Sequence, residues 1–154
     1  MKIKSLLISV AVPLLVGGLS AFASGSSMMS FAVLNKPSFA PPAWLFPVVW
    51  TILYILMGVA SYIVVNSDAN QDKIKKAISV YAVSLVFNFF WSIIFFNMQQ
   101  YLFAFFWLLA LLFLVVYTAF LFYDISKKAG YLMIPYIIWL VFAGILNFAI
   151  FILN

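Results

Sequence analysis

Residues 77–123, AISVYAVSLVFNFFWSIIFFNMQQYLFAFFWLLALLFLVVYTAFLFY, decide the fold, because these 47 residues carry no charge. About 20 apolar residues cross the hydrocarbon core of a bilayer as a helix, so this run predicts two transmembrane helices. Its only polar break is Asn97-Met98-Gln99-Gln100. A break this short leaves room only for a reversal of direction, and we expect the two helices to be antiparallel neighbours.

Three further uncharged runs, residues 5–35, 37–67 and 129–154, are each long enough for one membrane span. The sequence therefore predicts an all-α membrane protein, a bundle of five transmembrane helices forming a single transmembrane domain over residues 1–154. The predicted spans are about 3–23, 43–65, 77–96, 101–123 and 131–153.

The composition excludes several classes of protein. Of the 154 residues, 68% are hydrophobic and 7% are charged, far from the values of a soluble globular domain. The chain contains no Cys, His, Glu or Arg, which excludes disulfides, thiolate nucleophiles, zinc sites and histidine-based catalysis. We expect no metal and no cofactor. The eight lysines are divided among short loops and form no basic stripe, so we expect no nucleic-acid partner.

The lysines predict the orientation in the membrane. Seven of the eight lie in the N-terminal segment and in the second and fourth loops, whereas Lys36 stands alone on the opposite side. Because positively charged loops stay in the cytoplasm, we expect a cytoplasmic N-terminus. With five spans, the C-terminus and the proline-rich first loop then face outward.

The first apolar segment, residues 3–23, admits two interpretations. It follows two lysines and ends in Ala21-Phe22-Ala23, which fits the cleavage pattern of a secretory signal peptide. It is also long for a signal peptide, and Gly17 and Gly18 offer small surfaces for close helix packing. We expect a retained helix.

The first loop, residues 24–42, contains three prolines within six residues, which favour a stiff, extended course. Loops of this length are commonly functional or disordered. We interpret it as a lid over the helix bundle, with an ordinary interfacial loop as the alternative. The candidate lid residues are Lys36, Pro41, Pro42 and Trp44.

Three predicted helices each carry one mixed aromatic and polar face. Residues three and four apart share a helix face, and this spacing connects Pro47, Trp50, Thr51, Tyr54, Gly58 and Ser61 on the second span, Tyr81, Ser84, Asn88, Ser92 and Phe95 on the third, and Tyr136, Trp139, Ala143 and Asn147 on the fifth.

These faces are expected to point into the bundle, because an amide exposed to lipid lacks hydrogen-bonding partners. Asn88 and Asn147 then either join helices or line a pocket. Trp50 and Trp139 are awkward to pack in a tight bundle and suit the walls of a pocket for a flat aromatic molecule.

Three motifs in order resemble one family, and with the hydropathy pattern they cover nearly the whole chain. They are Lys36–Trp44 followed by Pro47–Trp50 and Leu53-Tyr54, then Asn88-Phe89-Phe90-Trp91-Ser92, and last Pro135–Trp139 followed by Phe142-Ala143 and Leu146-Asn147-Phe148. The chain resembles the translocator protein family, also called tryptophan-rich sensory proteins or peripheral-type benzodiazepine receptors, and in particular its bacterial members.

The resemblance implies a receptor or transporter-like protein of the bacterial cell membrane, usually a homodimer. Such proteins bind porphyrins such as protoporphyrin IX, and isoquinoline carboxamide or benzodiazepine-type ligands, within the helix bundle. By motif position, the implied ligand-binding residues are Trp50, Tyr54, Asn88, Phe89, Trp139, Ala143 and Asn147. The helix-face argument selects all of these except Phe89.

Two other functions stay open. Some bacterial members are implicated in light-dependent porphyrin breakdown, in which Trp50 and Trp139 would be the catalytic residues, so whether the chain is an enzyme is undecided. A structural or channel-like subunit is the third possibility. Animal members of the resembled family have a cholesterol-recognition segment at the end of the fifth helix, a Tyr followed shortly by Lys or Arg. Cholesterol binding is doubtful here, because no basic residue follows Lys128 in the last helix. A loose match to that segment runs from Leu121 through Lys127, but such motifs are weak.

Overall fold

A computed structural model describes residues 2–25 and 31–154, and every regular element in these ranges is helical. Within these two ranges, five helices are long and apolar enough to cross a membrane. The predicted all-α fold with five transmembrane helices is therefore confirmed, and the protein is an integral membrane protein. The elements are α1 (Ile3–Ser24), α2 (Leu45–Val65), α3 (Gln71–Ser92), α4 (Tyr101–Ile125), α5 (Lys127–Leu132) and α6 (Ile134–Leu153).

Local chemistry sets the helix ends. The Asn70 side chain accepts a hydrogen bond from the backbone N–H of Asp72 at 2.8 Å, so α3 begins six residues before the apolar span predicted from residue 77. α3 continues into a π-helical turn, Ile93–Asn97, and the chain then reverses through Gln99, whose φ is 53°. α5 and α6 together form the fifth span, Lys127–Leu153.

The helices pack mainly as the pairs α1 with α2, α3 with α4, and α4 with α6. α3 and α4 are neighbours, as their short connection predicts. α1 and α2 approach very closely at Gly58, where an added Cβ would lie 2.6 Å from the Cα of Val10. Small residues permit such backbone contacts between membrane helices.

The bundle has two distinct ends. One end, here called the lysine-rich end, holds the start of α1, the loop 66–70 and the junction of α4 with α5. At this end Lys73 and Asp124 form an exposed ion pair at 3.1 Å. The other end, here called the lid end, carries the segment 31–44, which begins with a 3₁₀ turn over 31–33.

The larger buried cluster contains large side chains such as Tyr136, Phe122, Met57 and Leu111, and a smaller buried cluster at the lid end contains Ile94, Phe95, Leu146 and Ile150. α2 contacts α3 and α6 at few positions compared with its contacts to α1. The helices therefore leave an internal space near the lid end, which is where the sequence-predicted faces converge.

Candidate ligand-binding site

A cavity of about 950 Å³ opens at the lid end between α1, α2, α3 and α6. Its volume is at the upper end of the range for small-molecule sites. Of the residues predicted to bind a ligand, six line this cavity: Trp50, Tyr54, Asn88, Trp139, Ala143 and Asn147. The faces selected from sequence on α2, α3 and α6 thus meet at one place.

Two indole rings form one wall of the cavity. The ring centroids of Trp50 and Trp139 are 6.4 Å apart and their planes are perpendicular. Trp50 also stacks on Tyr54, with centroids 5.6 Å apart, and Phe46 meets Trp139 edge to face at 5.9 Å. The Nε1 donor of Trp139 is buried and has no hydrogen-bond partner among the described residues.

Asn88 joins three helices at the inner end of the cavity. The Tyr54 hydroxyl donates to Oδ1 of Asn88 at 2.9 Å, and Nδ2 of Asn88 donates to the Tyr136 hydroxyl at 2.6 Å. Only 5% of Asn88 is exposed. The residue therefore connects helices, as one interpretation of the sequence proposed, and it also lines the cavity, as the other proposed.

Asn147 has the same double role on α6. Its Oδ1 accepts a hydrogen bond from Nε1 of Trp91 at 3.2 Å, and its Nδ2 donates to the backbone carbonyl of Tyr101 at 2.8 Å. Trp91 consequently faces the cavity rather than lipid. These bonds fix the position of the Asn147 amide against α3 and α4.

The lid is organised around Lys36. The Nζ of Lys36 donates to the backbone carbonyls of Phe31, Ala32 and Leu34 at 3.0, 3.2 and 3.3 Å, and it lies 5.0 Å from the centre of the Phe31 ring. An ammonium has three donors, and all three have acceptors here. Lys36 therefore ties the lid together, although it also lines the cavity.

The lid is also fastened to the end of α6. The backbone N–H of Asn35 donates to Oδ1 of Asn154 at 3.1 Å, and Nδ2 of Asn154 donates to the carbonyl of Asn35 at 2.9 Å. This reciprocal pair joins two segments that are far apart in sequence, which is why no local sequence pattern predicted it.

Two predicted residues lie elsewhere. Trp44 is 66% exposed and does not line the cavity, whereas Pro41 and Pro42 do. Trp44 directly precedes α2 and points outward, as an interfacial aromatic does. Phe89 is also absent from the cavity lining and packs edge to face on Phe90. One residue after Asn88, it is turned about 100° around α3.

The contribution of α1 to the cavity was missed from sequence. Gly17, Ala21 and Ser24 line one side of it. The Tyr54 ring lies directly over Gly17, leaving no room for a Cβ there, and the Oγ of Ser24 is buried without a partner among the described residues. The signal was present, because these small residues recur at three- and four-residue steps.

Ser20 of α1 reaches across to α3. Its Oγ hydrogen-bonds with the Oγ of Ser92 and donates to the carbonyl of Phe89 at 3.1 Å. Both serines line the cavity. The bonds close the cavity on the side of α1 and show that Phe89 contributes its backbone carbonyl, not its ring, to this region.

Known proteins similar to this chain fall into one family. A family model described as the TspO/MBR family matches residues 9–153. The chain is 38% identical over 156 residues to tryptophan-rich protein TspO of Archaeoglobus fulgidus, covering 100% of this chain and 99% of that protein.

Two further relatives come from other organisms. The chain is 38% identical to tryptophan-rich protein TspO of Chlorobaculum tepidum, over 88% of this chain and 85% of that protein. It is 33% identical to translocator protein of Homo sapiens, over 85% of this chain and 78% of that protein. The similarity therefore extends across nearly the full length of the bundle.

Proposed function

Because this chain belongs to the TspO/MBR family, we propose that it is a receptor or transporter-like membrane protein that binds porphyrins such as protoporphyrin IX. The ligand occupies the cavity between α1, α2, α3 and α6. The observation that carries the proposal is the pair of perpendicular indoles, Trp50 and Trp139, on one wall of a space of about 950 Å³.

The cavity suits a large, flat and mostly apolar molecule. Aromatic rings from the lid, α2, α3 and α6 surround it, so a macrocycle gains stacking and edge contacts on several sides. Isoquinoline carboxamide and benzodiazepine-type ligands share this flat aromatic character and belong to the same proposal.

Polar groups of such a ligand find few free partners. The indole Nε1 of Trp139 and the hydroxyl of Ser24 are buried and unpartnered among the described residues. These two donors are the ones we assign to a ligand carboxylate or carbonyl. Lys36 is assigned to the lid, because pairing with a propionate requires its ammonium to leave three carbonyl acceptors.

Light-dependent porphyrin degradation is the second candidate function. It is favoured by the proximity of Trp50 and Trp139, whose ring centroids are 6.4 Å apart, and by the stacking of Trp50 on Tyr54. In this proposal the bound pigment absorbs light and the two indoles are its redox-active neighbours. A structural or channel-like subunit, the third candidate, requires no ligand in the cavity.

The orientation, membrane and assembly belong to the same proposal. The lysine-rich end faces the cytoplasm, the lid faces outward, and the protein lies in the cell membrane of a bacterium as a homodimer. Cholesterol is not proposed as a partner, because the last span contains no lysine beyond Lys128.

Tryptophan fluorescence tests the binding proposal. Protoporphyrin IX added to the purified protein is expected to quench its fluorescence and to saturate. Trp50→Phe with Trp139→Phe reduces the quenching, whereas the matched control Trp44→Phe, at an exposed position outside the cavity, keeps it. Quenching that rises without saturation, as with pigment partitioning into micelles, contradicts a specific site.

Illumination then separates a binder from an enzyme. An enzyme converts bound pigment faster than free pigment bleaches, and the double Phe variant loses this conversion while an absorbance titration still detects binding. Equal bleaching of free and bound pigment removes the enzymatic proposal and leaves the receptor proposal intact.

A further inference from the structure

A second cavity, of about 540 Å³, lies at the lysine-rich end between α1, α2 and α3. It is at the opposite end of the bundle from the ligand-binding cavity and shares no lining residue with it. Its walls are largely apolar, and the side chains that matter here are Ile8, Val12, Val65 and Ile78. We call this cavity the lower cleft.

The mouth of the lower cleft is positively charged. Lys2 and Lys4 both line it, and its lining includes no carboxylate from the described part of the chain. Within residues 2–25 and 31–154 the ion pair is Lys73 with Asp124, so neither mouth lysine is neutralised by a described acidic side chain. Two ammonium groups therefore stand beside an apolar space.

Hydrogen bonds fix this mouth to α2. The backbone N–H of Lys2 donates to the Tyr62 hydroxyl at 3.1 Å. Nδ2 of Asn66 donates to the Oγ of Ser5 at 2.9 Å. The backbone that carries the two lysines is thus held against the end of α2 and presents them in a defined place.

The inner end of the lower cleft contains an unsatisfied donor. Tyr81 lines the cleft beside Ser61, only 5% of it is exposed, and its hydroxyl makes no well-formed hydrogen bond with the described residues. A buried hydroxyl without a partner is unfavourable and calls for an acceptor. Tyr81 lies four residues beyond Ala77, where the apolar part of α3 begins, which is about 6 Å along the helix.

We propose that the lower cleft binds an anionic phospholipid. The phosphate lies between Lys2 and Lys4, an ester carbonyl accepts a hydrogen bond from Tyr81, and one acyl chain lies along the apolar wall of the cleft. This occupant follows from the order of the chemistry, since cations at the surface, a hydroxyl donor below them and an apolar wall match the order of groups in a phospholipid.

The shape of the lower cleft agrees with this occupant. Ile8, Val12 and Val65 are 55%, 44% and 46% exposed, so the wall is open to the surrounding lipid. From Lys4 to Val12 the cleft follows α1 for eight residues, about 12 Å at 1.5 Å per residue. An acyl chain enters such a cleft from the bilayer without crossing the protein.

Native mass spectrometry of the full-length protein in an uncharged detergent tests the proposal. The probes are palmitoyl-oleoyl phosphatidylglycerol and the corresponding phosphatidylcholine at equal concentration. We expect one retained phosphatidylglycerol with about thirtyfold preference, the scale expected when two lysines each contribute about 1 kcal/mol toward an anionic headgroup. Lys2→Gln with Lys4→Gln removes this preference. Lys127→Gln with Lys128→Gln, a matched loss of two charges outside the cleft, keeps it.

Tyr81→Phe separates the hydroxyl from the charges. Because both lipids carry ester carbonyls, this variant is expected to weaken retention of both by the same factor and to leave the preference unchanged. Thermal unfolding of each variant checks that it is folded.

Several results overturn the proposal. Equal retention of the two lipids by the unaltered protein does so, as does an equal loss of preference in the two double-lysine variants. If the Tyr81→Phe variant retains both lipids as well as the unaltered protein does, the hydrogen bond from the Tyr81 hydroxyl to an ester carbonyl is ruled out. If the protein takes up no lipid and is observed only as a dimer, a second copy of the chain and not a lipid occupies the lower cleft.

Discussion

The side chain of Asn88 connects the hydroxyls of Tyr54 and Tyr136, at 2.9 and 2.6 Å, and so holds α2, α3 and α6 together at the inner end of the cavity. This contact sets the depth of the cavity, because all three side chains are buried where the helices converge.

Replacing Asn88 by Ala is expected to destabilise the bundle by about 1–2 kcal/mol, since two interhelical hydrogen bonds disappear and each contributes about 0.6 kcal/mol or somewhat more in a membrane protein. The free energy of unfolding in mixed SDS micelles measures this. Thr118→Val is the control, because buried Thr118 donates only to Leu114 of its own helix. Equal losses in both variants contradict the prediction.

Gly58 is expected to tolerate no side chain. A Cβ at this position would lie 2.6 Å from the Cα of Val10 and 2.8 Å from the carbonyl oxygen of Ser9, so α1 must move away from α2. Gly58→Ala then costs about 1–3 kcal/mol, the range for overpacking a close contact.

Gly18→Ala is the matched control for Gly58→Ala. No atom of the described residues lies within 4 Å of a Cβ added at Gly18, which is in the same bundle and also helical. Because alanine has a higher helix propensity than glycine, Gly18→Ala is expected to leave the free energy of unfolding unchanged or to raise it by up to about 1 kcal/mol. Denaturation of both variants in the same micelles provides the comparison, and a Gly58→Ala protein as stable as Gly18→Ala disproves the close contact.

Asn154 is expected to govern how long a ligand stays in the cavity. Asn154→Ala removes two of the three hydrogen bonds that join Asn35 to the end of α6, so the lid is held less firmly over the cavity. With each bond contributing about 0.5–1.5 kcal/mol, protoporphyrin is expected to dissociate about fivefold to a hundredfold faster. Stopped-flow recovery of tryptophan fluorescence after ligand dilution measures this rate.

Asn66→Ala is the control for the lid. Asn66 also makes two side-chain hydrogen bonds, to Ser5 and to the carbonyl of Tyr62, but at the lysine-rich end. Its loss is expected to affect stability and to leave the dissociation rate unchanged. The role of the lid in retention is refuted when both variants release the ligand at the same rate.

The sequence predicted much of the fold and of the candidate site for physical reasons. A bilayer requires long apolar helices, so runs without charge reveal the spans. It also forces amides inward, so the spacing of Asn88 and Asn147 indicated which faces converge. These arguments concern the solvent and single helices, and they hold without knowledge of packing.

The remaining features depend on contacts between distant segments. The Asn35–Asn154 pair joins residues 119 apart, and no local periodicity encodes it. The sequence predicted Lys36 as a lid residue without assigning its partners, and in the structure it binds the carbonyls of its own loop. The face of α1 was missed because Gly17 and Ser24 are small residues, which are as common at plain helix contacts as around a cavity.

Lys36→Met is expected to weaken binding of charged and uncharged ligands equally. The ammonium donates hydrogen bonds to the carbonyls of Phe31, Ala32 and Leu34, so its removal loosens the lid. The resulting loss of affinity does not depend on the charge of the ligand. A propionate contact instead predicts that only an anionic ligand suffers.

Protoporphyrin IX and its dimethyl ester distinguish these cases for Lys36→Met, because the ester keeps the macrocycle and lacks the two carboxylates. We expect the Kd of both to rise by the same factor, about tenfold or more, since losing hydrogen bonds from a charged donor costs about 1.5–3 kcal/mol. Fluorescence titration gives both values. A rise confined to the free acid assigns Lys36 to the ligand and not to the lid, because only a direct ion pair senses the carboxylates.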